Sequence, residues 1–151
     1  MHRLFRSAMN SVKKQLLVTL ALGAGVFLGS CSYGFDVRPV GHLGGPIVFG
    51  FYDESKPIVK SITNFVISER TSEGRWRPVW VLEGKAPLKE ITYGAKCAGL
   101  KETLAAKKLV AGKVYGAFAS DGSGGSGGGP YFGFRQGGAM EFTNSPDAGV
   151  R

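Results

Sequence analysis

The stretch Arg75–Glu83, RWRPVWVLE, is the part of the sequence that most clearly indicates the fold. Trp76, Trp80 and Leu82 share one parity, and the charged residues take the other. Side chains alternate between the two faces of a strand, and tryptophan with β-branched neighbours is common in strands. A proline within a strand is confined to an edge or to the first positions. The stretch therefore predicts a β-strand, with Pro78 at an edge or near its start.

Similar short runs of β-branched and aromatic residues lie on both sides of this strand, separated by turn residues. They predict strands at Phe35–Val40, Ile47–Tyr52, Ile58–Arg70, Leu88–Tyr93, Tyr131–Phe134 and Ala139–Phe142, with turns at Asp53–Pro57, Thr71–Gly74 and Gly84–Pro87. Neither parity of Ile58–Arg70 is cleanly apolar, which predicts a bulge near Asn64. Leu100–Leu109 fits either a helical turn or an extended segment, because its apolar spacing is helical but the run is short and has no clear N-cap.

The segment Leu109–Phe118, LVAGKVYGAF, places leucine, glycine and tyrosine at 109, 112 and 115. This spacing resembles the L-x-x-G-x-x-Y segment that leads into strand F of fibronectin type III and related immunoglobulin-like domains. The resemblance implies that Tyr115 forms the tyrosine corner of those sandwiches. Ala111 stands where such domains commonly have proline. With six or seven short strands about ten residues apart, we expect a mainly β fold, a small immunoglobulin-like or fibronectin-like antiparallel β-sandwich.

The glycine-rich segment Asp121–Pro130, DGSGGSGGGP, contains a literal G-x-G-x-x-G match at Gly122–Gly127. A dinucleotide site needs a helix to open at that loop, so that its N–H groups meet the pyrophosphate. Pro130 and an aromatic run follow instead, so the match does not indicate nucleotide binding. The composition predicts a flexible hairpin loop between Phe118 and the strand at Tyr131–Phe134, or a mobile loop that adapts to a partner.

The N-terminus has the pattern of an export signal. The first fourteen residues carry four Lys and Arg and no acid, and Leu16–Leu28 is uncharged. As a helix this apolar run spans roughly 20 Å, short of the ~30 Å hydrocarbon core. The following Leu28-Gly29-Ser30-Cys31 resembles the lipobox of bacterial lipoproteins. The resemblance implies cleavage before Cys31, lipidation of Cys31 and, with Ser32 next, export to the outer membrane.

These signals divide the chain into four parts: a signal peptide at 1–30, the lipidated cysteine and a tether at 31–45, a β-sandwich at 46–143 and a flexible tail at 144–151. Of the formal charge of +8, four positive charges belong to the leader. Fifteen basic and eleven acidic residues then leave +4. No basic run interleaves with aromatics, so nucleic acid is not an expected partner.

Residues with catalytic chemistry are few after the leader. His42 is the sole histidine, and the adjacent acids Asp53 and Glu54 fall in a predicted turn. No spacing indicates a catalytic, cofactor or metal site. Cys97 is interpreted as a small buried hydrophobe, with an intermolecular disulfide as the alternative.

The aromatic residues are the remaining candidates for a binding surface, although most of them are expected in the core. One of Trp76 and Tyr131 is a candidate for an exposed contact patch, because aromatic side chains dominate binding surfaces. The expected function is that of a lipid-anchored, non-enzymatic binding or scaffolding lipoprotein in the outer membrane, facing the periplasm, with an unknown protein or envelope partner and no cofactor. The alternatives are a small envelope hydrolase or enzyme accessory using carboxylates, and a carrier of a hydrophobic ligand.

Overall fold

The computed structural model describes residues 34–147, which contain eleven β-strands and no helix. The predicted signal peptide, Cys31 and the last four residues lie outside the described residues. The strands are β1 (Gly34–Gly41), β2 (Ile47–Asp53), β3 (Lys56–Pro57), β4 (Lys60–Arg70), β5 (Trp76–Leu88), β6 (Glu90–Thr92), β7 (Leu100–Leu104), β8 (Val114–Ser120), β9 (Ser126–Gly128), β10 (Tyr131–Phe134) and β11 (Met140–Thr143). Within residues 34–147, no helix is long and apolar enough to span a membrane.

The mainly β, sandwich-like fold predicted from the sequence is confirmed. Hydrogen bonds connect the strands in the order β3-β2-β1-β9-β8-β4-β5-β7, with β6 on β2 and the β10–β11 hairpin on β8. The expected sheet was antiparallel throughout, but β1 and β9 pair in parallel. β5 lies near the far end of this order, and β6, which follows β5 in the chain, pairs with β2 near its beginning. The series of paired strands therefore closes on itself around a single core.

The core is built mainly from aromatic rings. Phe65 of β4 lies at its centre, with ring centroids 5.3 Å from Phe49, 6.4 Å from Phe51 and 5.8 Å from Trp80, all edge to face. All four side chains are fully buried. Edge-to-face pairs add to the free energy gained by burial, so this cluster holds opposite strands together without a disulfide.

The predicted bulge near Asn64 is confirmed. The register between β4 and β5 shifts between Ile62 and Asn64. Ile62, Phe65 and Ile67 are buried, so the inward parity of β4 changes across the bulge. The mixed pattern of apolar and polar residues in β4 therefore reflects a switch, at the bulge, in which alternate residues face the core.

Two segments, one at the end of β5 and one between β6 and β8, take structures that their local sequence did not determine. The predicted turn Gly84–Pro87 lies inside β5, where Gly84 pairs with Leu100 and the Lys85 N–H donates to the Gly99 carbonyl at 3.0 Å. The open choice at Leu100–Leu109 is settled as extended for Leu100–Leu104, which forms β7. Long-range pairing between these segments outweighs local propensity.

The glycine-rich segment is not a flexible loop, contrary to the prediction. Ser126–Gly128 forms β9 between β1 and β8. A Cβ atom at Gly127 would collide with the ring and backbone of Phe35, so only glycine allows β1 this close. The turn before β9 is fixed by Asp121, which accepts the N–H groups of Ser123 and Gly125, each at 2.9 Å.

The segment predicted as a tether contributes to the core. Phe35 and Val37 of β1 are buried, which confirms the short strand expected there. The folded domain therefore includes Gly34–Gly41, which lie before the predicted start at residue 46. Only Ser32 and Tyr33 separate Cys31 from β1.

Candidate functional site

The two predicted patch residues lie together on the outer face of the sheet. Trp76 begins β5 and Tyr131 begins β10, and their rings stack with centroids 5.2 Å apart and planes 23° from parallel. Both stand over Gly116 of β8, where an added Cβ would lie 3.4 Å from Trp76 and 3.5 Å from Tyr131. The glycine leaves the room that lets the two rings meet, and the rings in turn cover its exposed backbone.

Arg70 contacts the Trp76 ring as well. Its guanidinium carbon lies 5.6 Å from the ring centroid, and one of its nitrogens donates to the Asp147 carboxylate at 2.8 Å. The Nε of Arg70 is buried and has no hydrogen-bond partner within residues 34–147. The aromatic pair is therefore held next to a fixed positive charge that keeps one donor unsatisfied.

A surface hollow of about 300 Å³ lies between this ring pair and Phe118. Phe118 is 48% exposed and Trp76 is 37% exposed, and because both line the hollow they form a contiguous apolar patch, the kind of surface that marks a binding site. The main lining residues are Val66, Ser68, Trp76, Gly116, Phe118 and Tyr131. We call this feature the aromatic hollow. Its small floor residues and aromatic rim suit one apolar group of a partner.

Charged residues border the hollow on the side of the β4–β5 turn. A second groove of about 580 Å³ shares Trp76 and is lined by Arg75, Arg77 and Lys113. Glu69 pairs with Arg77 at 3.4 Å and with Lys113 at 3.6 Å. Here cations and carboxylates are matched in ion pairs, so the rim is polar without a strong field.

Tyr115 forms the corner that its sequence context implied. Its hydroxyl accepts the Val110 N–H at 2.9 Å and lies 3.4 Å from the Val110 carbonyl. The ring is fully buried, and burial raises the pKa of the hydroxyl. By fixing the inward side of β8, Tyr115 also sets which of its residues face out.

Phe118 and Gly116 are functional candidates that the sequence did not single out. The inward parity of β8 is Tyr115, Ala117 and Ala119. Once Tyr115 is assigned to the core, alternation turns Gly116 and Phe118 outward. The tyrosine spacing therefore contained a signal for an exposed phenylalanine.

The residues considered for catalysis do not converge in the described region. Glu54 lies in the β2–β3 turn with a φ of 44°, while His42 bridges to Ala139. Within residues 34–147, no group of three or more His, Cys, Asp or Glu could hold a metal ion. Cys97 is half-buried against the core, and burial raises the pKa of its thiol.

Comparison with known proteins gives no match: no family model, no curated protein and no solved structure is similar to this chain.

Proposed function

We propose that this protein is a lipid-anchored envelope lipoprotein that acts as a non-enzymatic binding module, with the aromatic hollow as its binding site. Anchoring is supported by the Leu28-Gly29-Ser30-Cys31 sequence, which would leave the domain attached to the outer membrane through acylated Cys31 and facing the periplasm. Acyl chains stably hold a protein when two or more are attached.

The observation that carries the binding role is the set of aromatic rings around a small-residue floor, formed by the exposed Trp76 and Phe118 and the half-buried Tyr131. Aromatic side chains in a hollow bordered by charged residues are the composition of a binding hot spot. The partner is a protein or another envelope component that offers an apolar group.

Anchoring is tested by feeding cells radiolabelled palmitate and comparing the natural chain with Cys31→Ala. Label is expected in the natural chain alone. Equal labelling of both chains would contradict the anchor.

Binding is tested by crosslinking in cells, followed by quantitative mass spectrometry of the material captured with the lipidated protein. Phe118→Ser is compared with Val59→Ser, which changes a side chain that is somewhat more exposed than Phe118 (57% against 48%) and does not line the hollow. Removing a hot-spot residue costs about 2 kcal/mol or more, roughly a thirtyfold loss of affinity. Partners should therefore be lost with Phe118→Ser and kept with Val59→Ser. The same partners in both variants would rule out the hollow, and turnover of an envelope substrate by the purified protein would rule out a non-enzymatic role.

A further inference from the structure

A second surface is distinguished by its lysines. Six exposed lysines lie between Gly84 and Lys108, and none of them forms an ion pair with a residue in the range 34–147. They are Lys85, Lys89, Lys96, Lys101, Lys107 and Lys108. Of the other eight cationic side chains in the described range, seven are ion-paired. The unpaired charge is therefore concentrated in one part of the chain.

The acids of the same stretch do not neutralise it. Six lysines against Glu83, Glu90 and Glu102 leave +3, most of the +4 carried by the chain after the leader. Glu102 is engaged as the acceptor of the Trp80 indole N–H at 2.8 Å. Glu83 lies opposite Lys101 in the β5–β7 ladder. The lysines consequently keep a clear positive excess.

The backbone pairings place these lysines along the side of the fold formed by β5, β6, β7 and the segments that follow β6 and β7. The Lys89 carbonyl accepts the Phe51 N–H at 3.1 Å, and the Lys107 N–H donates to the Val79 carbonyl at 3.0 Å. Val79 and Lys89 are ten residues apart along β5 and its continuation, roughly 30 Å at the rise of a strand. We call this surface the lysine side.

The kind of charge points to an extended anionic surface. Lysine carries a compact charge on a flexible stem and needs no fixed partner geometry, whereas arginine suits a single, bidentately held anion. Here the arginines are paired and the lysines are spread out. A group of four to eight basic residues next to a membrane attachment point is the pattern of binding to anionic lipid headgroups.

The attachment point adds to this argument. Gly34, the first residue of β1, follows Cys31 by three residues, a reach of at most about 11 Å, so anchoring through Cys31 would hold the domain at the membrane surface. Lys89 is close to that end, because Phe51 pairs with Val37 of β1 and also bonds to Lys89. Within the described domain, only β2 lies between β1, the strand that follows Cys31 in the sequence, and Lys89.

We propose that the lysine side of β5–β7 lies against anionic phospholipid headgroups and orients the domain on the membrane. The inference rests on the proposed anchoring through Cys31. In this orientation the headgroup phosphates neutralise side chains that have no anionic partner within the described domain.

The test uses the lipidated full chain on vesicles of phosphatidylcholine alone or mixed with phosphatidylglycerol. Each lysine is labelled by a water-soluble amine reagent, and the rate is read by mass spectrometry of the peptides. A lysine near an anionic surface contributes about 1 kcal/mol, a factor of roughly five. Labelling of the lysine side should slow by about that factor on anionic vesicles and recover in high salt. Lys113, beside the aromatic hollow, is the internal control and should be unchanged.

A matched pair of variants separates position from total charge. Replacing Lys85, Lys89 and Lys101 by glutamine should restore fast labelling of the remaining three lysines, whereas replacing Arg75, Arg77 and Arg135 by glutamine should not. Equal labelling rates on the two kinds of vesicle would overturn the proposal. Protection by polygalacturonate but not by anionic vesicles would also overturn it, in favour of a soluble acidic polymer.

The two proposals fail in different ways. Failure of the chain to sediment with neutral vesicles contradicts the anchor. The labelling comparison then uses the same chain mixed with vesicles at low salt, and it still decides whether the lysine side recognises anionic lipid.

Discussion

Replacing Tyr115 by phenylalanine is the most direct test of how the fold is held together. The substitution keeps the fully buried ring and removes only the hydroxyl, which bonds to Val110 at 2.9 Å through the N–H and lies 3.4 Å from the carbonyl. The shorter contact is a good hydrogen bond, and the longer one is at the limit of the geometry. One strong bond is therefore lost.

The magnitude follows from that geometry. A net hydrogen bond contributes about 1 kcal/mol, and a donor left unsatisfied costs up to about 3 kcal/mol if it is fully buried. Val110 is 41% exposed, so water reaches part of the site and the penalty falls toward its lower end. We expect the free energy of unfolding to fall by about 1.5 kcal/mol, and Tm by roughly 5 °C.

The assay is urea unfolding of the natural chain and the variant, with Tyr52→Phe as the control. Tyr52 is half-buried, and the guanidinium carbon of Arg38 lies 4.7 Å from the centroid of its ring. The substitution by phenylalanine retains this ring. The control should lose less than about 0.5 kcal/mol. If Tyr115→Phe loses no more than Tyr52→Phe, the corner does not stabilise the fold and the reasoning is refuted.

Three further predictions concern the glycine segment and the free thiol. Gly127→Ala should lower the free energy of unfolding by about 3 kcal/mol, because the new Cβ would overpack against β1. Gly128→Ala, whose new Cβ would lie 3.6 Å from its nearest neighbour, should be nearly neutral. Urea unfolding compares the two variants, and equal losses would contradict the packing of β9. The pKa of Asp121 is held well below its usual range by Lys60 and by loop N–H donors, so its contribution to stability is present above about pH 4 and is lost as the pH falls toward the lowered pKa. Acid titration monitored by fluorescence should therefore show a smaller loss for Asp121→Asn than for the natural chain, and parallel curves would contradict this. Because burial raises the pKa of the Cys97 thiol, alkylation of Cys97 at neutral pH should be slower than that of a free cysteine. The alkylation rate should keep rising with pH beyond the range where the rate of a free thiol levels off. Mass spectrometry of the Cys97 peptide measures the rate, and a rate equal to that of free cysteine would contradict the prediction.

Strand positions were predictable because they depend on alternation between neighbours. The parity change in β4 indicated the bulge near Asn64, and the spacing around Tyr115 indicated the corner. Both signals lie within a dozen residues of sequence. In each case the residues that produce the signal lie close together in the sequence, within β4 or between Leu109 and Tyr115 of β8.

Segments whose structure depends on a distant partner were not predictable in the same way. Gly84–Pro87 has turn residues but continues β5, because Gly84 pairs with β7 while Ala86 and Pro87 pair with β4. Ser126–Gly128 has the composition of a linker but forms β9, because the ring of Phe35 in β1 occupies the space that a side chain would take. The local composition of these segments indicates a flexible backbone, but pairing with a strand that is distant in the sequence fixes that backbone as a strand.

Predicting the aromatic hollow requires both local sequence signals and long-range strand pairing. Exposure of Trp76 or Tyr131 was predicted from the number of aromatics alone, but their contact requires β5 and β10 to meet over Gly116 of β8. That meeting is set by the registers of β4 with β5 and of β8 with β10. The lipobox and Cys31 remain predictions from the sequence.

The different use of cations on the two surfaces supports different kinds of partner for the two proposed binding roles. Around the aromatic hollow the arginines are already bound to carboxylates, so a partner there gains little from charge and must be selected by shape and apolar contact. On the lysine side the charges are unpaired and lie along a length of roughly 30 Å, so attraction to an anionic surface is strong but carries little shape information. A change in salt concentration should therefore weaken contact of the lysine side with a membrane and leave capture through the hollow nearly unchanged. That separation is what a domain needs if one surface sets its orientation and the other selects its partner.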